Sequence, residues 1–134
     1  MKKYSIILTA VFFGFLFFNF TEQNQPNDEV IPEDGGLNMP ADVKSIVDHS
    51  CYGCHNTDSK NEKGKKKLNF DSFGSDYSAI KSSGKLKEIA KVTMDGDMPP
   101  SKFLEHYPEK ALDDNQRALI NDWFRIEAKK YQEK

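Results

Sequence analysis

A chain of 134 residues with a formal net charge of −2 has room for one small domain and its flanking segments. Its 19 basic and 21 acidic side chains nearly balance, and the aromatic residues are not interleaved with the lysines, so nucleic acid is excluded as an expected partner. With two cysteines in all, a zinc site of four cysteines, or of three cysteines and one histidine, cannot be built within one chain.

Met1-Lys2-Lys3 is a short basic start, and Tyr4 to Phe20 is an uncharged apolar run rich in phenylalanine. The pair reads as an export signal. No small-x-small cleavage site follows, since Phe18, Asn19, Phe20 and Thr21 fit poorly. Residues 1–20 are therefore expected to be a signal peptide or an uncleaved membrane anchor, 4–20 being near the short limit for a spanning helix. Residues 21–39 carry Glu22, Asp28, Glu29, Glu33 and Asp34 with no lysine or arginine, plus Pro26, Pro32, Gly35 and Gly36. This composition predicts an acidic flexible linker, leaving 40–134 as a nearly neutral domain. A segment of that size has difficulty burying enough apolar surface by itself.

The first helix is expected to open at Pro40, with Val43, Ile46, Val47 and Ser50 spaced i, i+3, i+4, i+7. It runs into Cys51-Tyr52-Gly53-Cys54-His55, and Cys-x-x-Cys-His is the attachment signature of c-type haem. Two thiols on a tight turn can add to the two vinyl groups of one porphyrin, and the adjoining imidazole then lies under the iron. The expected cofactor is one covalent haem c on Cys51 and Cys54, with His55 as proximal iron ligand; the porphyrin would also supply a core for the small domain. The competing chemistries explain less. Zinc through Cys51, Cys54 and two histidines would crowd three neighbouring residues into one tetrahedron. A redox dithiol is expected beside a βαβ pattern that this chain lacks, and a disulfide across two residues leaves His55 without a role. Export and thioether attachment support each other, because attachment takes place outside the cytoplasm.

From Asn56 to Ser83 the sequence reads as a polar loop with one short helix near 77–82, containing Leu68-Asn69-Phe70 and a lysine run, Lys60, Lys63, Lys65, Lys66 and Lys67. As a plain solvated loop the run has no role; as a positive rim beside a haem edge it would steer an acidic redox partner. A second helix is expected from about Gly84 to Met94, with Leu86, Ile89, Ala90 and Thr93 as its stripe. A last helix is expected from Asp113 or Asp114, with Gln116 completing a capping box. It carries Leu119, Ile120, Trp123, Phe124 and Ile126, the aromatic pair packing on the first helix.

For the distal face of the iron, Met98 stands in Asp95-Gly96-Asp97-Met98-Pro99-Pro100, where two prolines hold the backbone extended and present a thioether from a loop. Met94 reads as core filler, His106 as the alternative ligand, His49 as too close to His55 in sequence, and Met39 as part of the linker.

Ser50 to Asn56, Leu68-Asn69-Phe70, Gly96-Asp97-Met98-Pro99-Pro100, Tyr107-Pro108-Glu109 and the tryptophan-bearing last helix together resemble the small haem-binding domain family of c-type cytochromes, over roughly residues 40 to 130. The resemblance implies an all-α, cytochrome c-like fold wrapped around one covalent haem, His55 below the iron and Met98 above it. It departs from the family pattern in the short lysine-rich stretch after the motif. Two function classes follow. One is an electron carrier with six-coordinate His/Met iron and no enzymatic activity, exported to the periplasm, with 4–20 as its candidate membrane anchor. The other is a five-coordinate ligand-binding, peroxide-reducing or sensing haem domain.

Overall fold

The structure, a computed structural model, describes residues 36–133; the signal or anchor segment and most of the acidic linker lie outside them. Among the described residues five α-helices form the frame: α1 (Ala41–Ser50), α2 (Glu62–Lys67), α3 (Ala79–Met94), α4 (Ser101–Leu104) and α5 (Asp114–Lys130), with 3₁₀ turns at Phe70–Ser72 and Pro108–Lys110. The domain is all-α as expected: among the described residues there is no strand, and one isolated bridge joins Phe73 to Tyr77.

The long pair α3 and α5 makes the main contact of the domain. Leu86, Ile89, Ala90 and Thr93 are all buried, as are Ile120, Phe124 and Ala128 on α5. Three hydrogen bonds set the pair antiparallel. Ser83 Oγ donates to the Ala128 carbonyl at 2.8 Å, Asn121 Nδ2 to that of Ala90 at 2.8 Å, and Arg117 Nη1 to that of Thr93.

α1 lies on α5 through Val43, Ile46 and Val47. The aromatic pair of α5 divides: Phe124 is fully buried against Phe70, with ring centroids 6.5 Å apart, while Trp123 is half-buried. α5 thus packs chiefly on α3, with α1 its lesser partner. Leu37 and Met39, assigned to the linker on composition, pack against this core.

Capping chemistry fixes the helix boundaries. The Asp113/Gln116 capping box forms in both directions, at 2.8 and 3.0 Å. α3 starts five residues before Gly84, capped by Ser78; Gly84 is exposed, so its weak propensity costs about 1 kcal/mol within a helix held by its other face. The segment near 77–82 and the helix expected from Gly84 are therefore one element. α2, expected as loop, is helical because Asn61 Oδ1 accepts from the Gly64 amide at 2.9 Å. It has no buried residue, so no hydrophobic stripe could announce it.

α3 ends in a Schellman motif. The Asp97 amide donates to the Val92 carbonyl at 2.9 Å and the Gly96 amide to that of Thr93 at 3.3 Å, with Gly96 at φ +79°, the left-handed conformation that favours glycine. The Met98 amide also returns to the Val92 carbonyl, at 3.1 Å. Pro99 is buried, and Pro100 caps α4, which starts immediately after the two prolines.

Candidate haem site

α1 delivers the motif without a break in its hydrogen bonding. The amides of Cys51 and Tyr52 both donate to the Val47 carbonyl, at 2.9 and 2.8 Å, and the next turns close through Cys54 N to Cys51 O and His55 N to Tyr52 O, both 3.1 Å. Both cysteines are free and half-buried. Burial, with Cys54 beside it, pushes the Cys51 thiol up to about 11, so it stays protonated near neutrality.

The chain around the motif acts as a clamp. The Phe70 amide donates to the His55 carbonyl at 2.9 Å, and Ser59 Oγ to the Gly53 carbonyl at 3.0 Å. Asp71 receives the Tyr52 phenol on one carboxylate oxygen, at 2.5 Å, and the Thr57 amide on the other, at 2.9 Å. Asn69 joins the same loop: its Oδ1 accepts from the Asp71 amide at 3.1 Å and its Nδ2 donates to Thr57 Oγ1 at 3.1 Å. The bond to Asp71, aided by desolvation, pushes the Tyr52 phenol up to about 12. Desolvation raises the Asp71 carboxyl, but the Tyr52 and Thr57 hydrogen bonds outweigh it and leave the group below its ordinary value. This is the work of the Leu-Asn-Phe segment: it fastens the turn that carries the thiols.

His55 is held by α2. Its Nδ1 lies 3.0 Å from the Gly64 carbonyl and 3.2 Å from that of Leu68. A carbonyl only accepts, so Nδ1 carries the proton, and in the neutral ring the lone pair is on Nε2. An imidazole fixed in this way, with one nitrogen given to backbone oxygen, is the arrangement of a metal-ligating histidine. Gly64 allows the approach, since a Cβ there would stand 2.7 Å from the Cys54 carbonyl oxygen.

Above these residues opens a cavity of about 430 Å³, within the range of cofactor sites, about 300–1,000 Å³. Cys51, Cys54, His55 and Met98 all line it, although they come from the motif turn and from a loop more than forty residues later. Its walls are mostly apolar: Leu68, Phe70, Ile89, Val92, Pro99 and Phe103. Lys63, Lys67, Lys85 and Glu88 line it as well.

The other candidates lie elsewhere. His106 is exposed and does not line the cavity. His49 Nε2 bonds the Glu109 carbonyl at 2.8 Å. Met94, expected as core filler, is 57% exposed, which corrects that expectation. Among the described residues no three of His, Cys, Asp and Glu gather as a metal-binding group, and no helix is long and apolar enough to cross a membrane.

The model of the haem-binding domain family matches residues 57–126, just over half of the chain. The chain belongs to that family. The matched segment begins two residues beyond His55 and runs through α2, the Leu-Asn-Phe clamp, α3, the Met98 loop and most of α5. No curated protein and no solved structure matches the chain.

The residues fit a haem on geometric grounds: an apolar cavity, an imidazole whose outer nitrogen is already committed to backbone oxygen, and two thiols beside it. The sequence pointed to Cys51, Cys54, His55 and Met98 and named Lys63 and Lys67 within the lysine run, but it missed the supporting Gly64 and Leu68 carbonyls and did not separate the two lysines that line the cavity. The one available signal was Asn61, three residues before Gly64, as the cap of a short helix.

Proposed function

We propose that the chain is an exported mono-haem c-type cytochrome that passes single electrons between redox partners and catalyses no reaction of its own. Its fold is then cytochrome c-like, with α1 feeding the attachment motif and α5 crossing behind it. In this reading Cys51 and Cys54 hold the haem covalently, His55 is the proximal ligand and Met98 the distal one. The observation that carries it is the sharing of one apolar cavity by Cys51, Cys54, His55 and Met98, with His55 Nδ1 tied to backbone carbonyls.

The bound haem supplies a one-electron iron couple, and a methionine ligand raises its potential relative to bis-histidine ligation. The protein's part is to keep that couple rigid and dry. The Gly64 and Leu68 carbonyls fix the His55 ring and its tautomer. The amide of Met98, bonded to Val92 O at 3.1 Å, and the two following prolines restrict where its thioether can go. Leu68, Phe70, Ile89 and Phe103 exclude water. Export to the periplasm, with residues 4–20 as anchor, suits thioether attachment, and the lysines of α2 give the domain a positive rim for an acidic redox protein.

The test is expression with a cytochrome c maturation system. The expected product is red, retains one haem in denaturing mass analysis, loses it when both cysteines are replaced, and shows a near-infrared sulfur-to-iron charge-transfer band when oxidised. An apoprotein mass with stoichiometric zinc overturns the proposal.

A further inference from the structure

The lysine run is not one surface. On α2, Lys65 pairs with Glu62 at 2.9 Å, and Lys66 is exposed. Lys63 and Lys67, one helical turn apart, both line the cavity. A spacing of i, i+4 puts two side chains on the same helix face, and a lysine stem can lie along an apolar wall while its ammonium stays at the wet rim. Lys85 and Glu88 line the cavity from α3 but neutralise each other at 3.2 Å. Among the described residues neither Lys63 nor Lys67 forms an ion pair or a side-chain hydrogen bond. A mostly apolar cavity therefore carries, on one wall, two positive charges with no ion-pair partner among the described residues.

A haem brings two propionate carboxylates, and apolar side chains offer them nothing in exchange for water. We propose that Lys63 and Lys67 are the propionate-binding residues of this domain. The inference rests on haem occupying the cavity, as proposed above. It gives α2 two roles: the Gly64 carbonyl orients the iron-ligating imidazole, and the flanking lysines balance the charge of the macrocycle. It also accounts for a helix with no buried side chain being seated here.

An opposite charge nearby lowers a carboxyl pKa by about 1–3 units, and exposed lysines act at the lower end of that range. The experiment compares the matured wild-type protein with Lys63→Gln/Lys67→Gln, Lys63→Arg/Lys67→Arg and Lys65→Gln/Lys66→Gln. Haem propionate titration is followed by proton NMR and by the pH dependence of the midpoint potential. The cavity glutamine pair is expected to raise propionate proton affinity about tenfold, a shift of about one unit, so that the potential becomes pH-dependent nearer neutrality. The arginine pair restores the wild-type curve, and Lys65→Gln/Lys66→Gln leaves it in place. An equal shift from both glutamine pairs overturns the proposal in favour of a general charge effect. An unmoved titration overturns it, and a changed salt dependence of electron transfer beside it leaves these lysines with the docking role alone. Absence of covalent haem in the wild-type mass is the separate failure of the functional proposal.

Discussion

The same substitution, glycine to alanine, is expected to act with opposite sign at two helical positions. At Gly64 an added methyl carbon would stand 2.7 Å from the Cys54 carbonyl oxygen and 3.2 Å from Cγ of Asn61. Carbon–oxygen contacts settle near about 3.3 Å or more, so α2 has to move off the motif by roughly 0.6 Å. Overpacking of this kind costs about 1–3 kcal/mol. Loosening the 3.0 Å bond from His55 Nδ1 to the Gly64 carbonyl adds about 1 kcal/mol, and the gain in helix propensity returns about 1 kcal/mol. The expected net loss for Gly64→Ala is about 1–3 kcal/mol. At Gly84, inside α3, an added Cβ meets nothing within 4 Å, so Gly84→Ala is expected to gain about 0.5–1 kcal/mol. Guanidinium unfolding of the matured proteins, followed by far-ultraviolet circular dichroism, measures both, and melting should move by about 4–8 °C for each kcal/mol. Gly64→Ala should also disturb the haem spectrum, whereas Gly84→Ala should not. A Gly64→Ala protein as stable as wild type with an unchanged spectrum refutes the seating of α2 on the motif.

Asp71→Asn removes the carboxylate that receives the Tyr52 phenol and the Thr57 amide. The folded Asp71 carboxyl titrates below its unfolded value, so its contribution is complete above about pH 4 and is lost as pH falls through the folded value. The Tyr52 phenol, pushed up to about 12, keeps its share below about pH 10 and loses it as pH rises through the folded value. The stability gap between wild type and Asp71→Asn should therefore be flat between these limits and close in acid, as measured by denaturation midpoints across pH. Met98→Ala should abolish the near-infrared band and allow rapid carbon monoxide binding by the reduced protein. Met94→Ala and His106→Ala should leave both properties as in wild type, and loss of the band in His106→Ala instead would move the distal ligand to that residue.

How far the fold was legible depended on whether an element carries its own signal. α1 and α5 were readable because Val43, Ile46 and Val47, and Ile120 and Phe124, repeat at helical spacing and are buried at that spacing. The α5 start was readable to within one residue, Asp113 or Asp114, because Asp113 and Gln116 satisfy each other's backbone locally. α2 was not readable. Its sequence, Glu-Lys-Gly-Lys-Lys-Lys, has no apolar face, and beyond the local Asn61 cap what holds it is tertiary: the contact at Cys54 and the bond to His55. The clamp on the motif was half legible. Leu68-Asn69-Phe70 stood out as a triplet, but the Asp71 bonds to Tyr52 and Thr57 span 19 and 14 residues, and no local pattern reports them.

The two methionines at the end of α3 mark where periodicity stops being informative. Met94 follows the buried Thr93 and was expected beside the apolar stripe as core filler, yet it lies two residues beyond Val92, about 200° round the helix. Val92 lines the cavity, so Met94 points to the opposite side and is exposed. A helix continued at 100° per residue would carry Met98 about 600° past Val92, that is about 240°, and also away from the cavity. The Schellman turn prevents this. Gly96, in the left-handed conformation, reverses the chain, and the amides of both Asp97 and Met98 return to the Val92 carbonyl, so Met98 joins Val92 on the cavity wall. Replacing Gly96 with a β-branched residue, which disfavours φ near +79°, should therefore weaken the charge-transfer band of Met98 while leaving covalent haem in place. An intact band in Gly96→Val refutes the role of this turn in placing Met98.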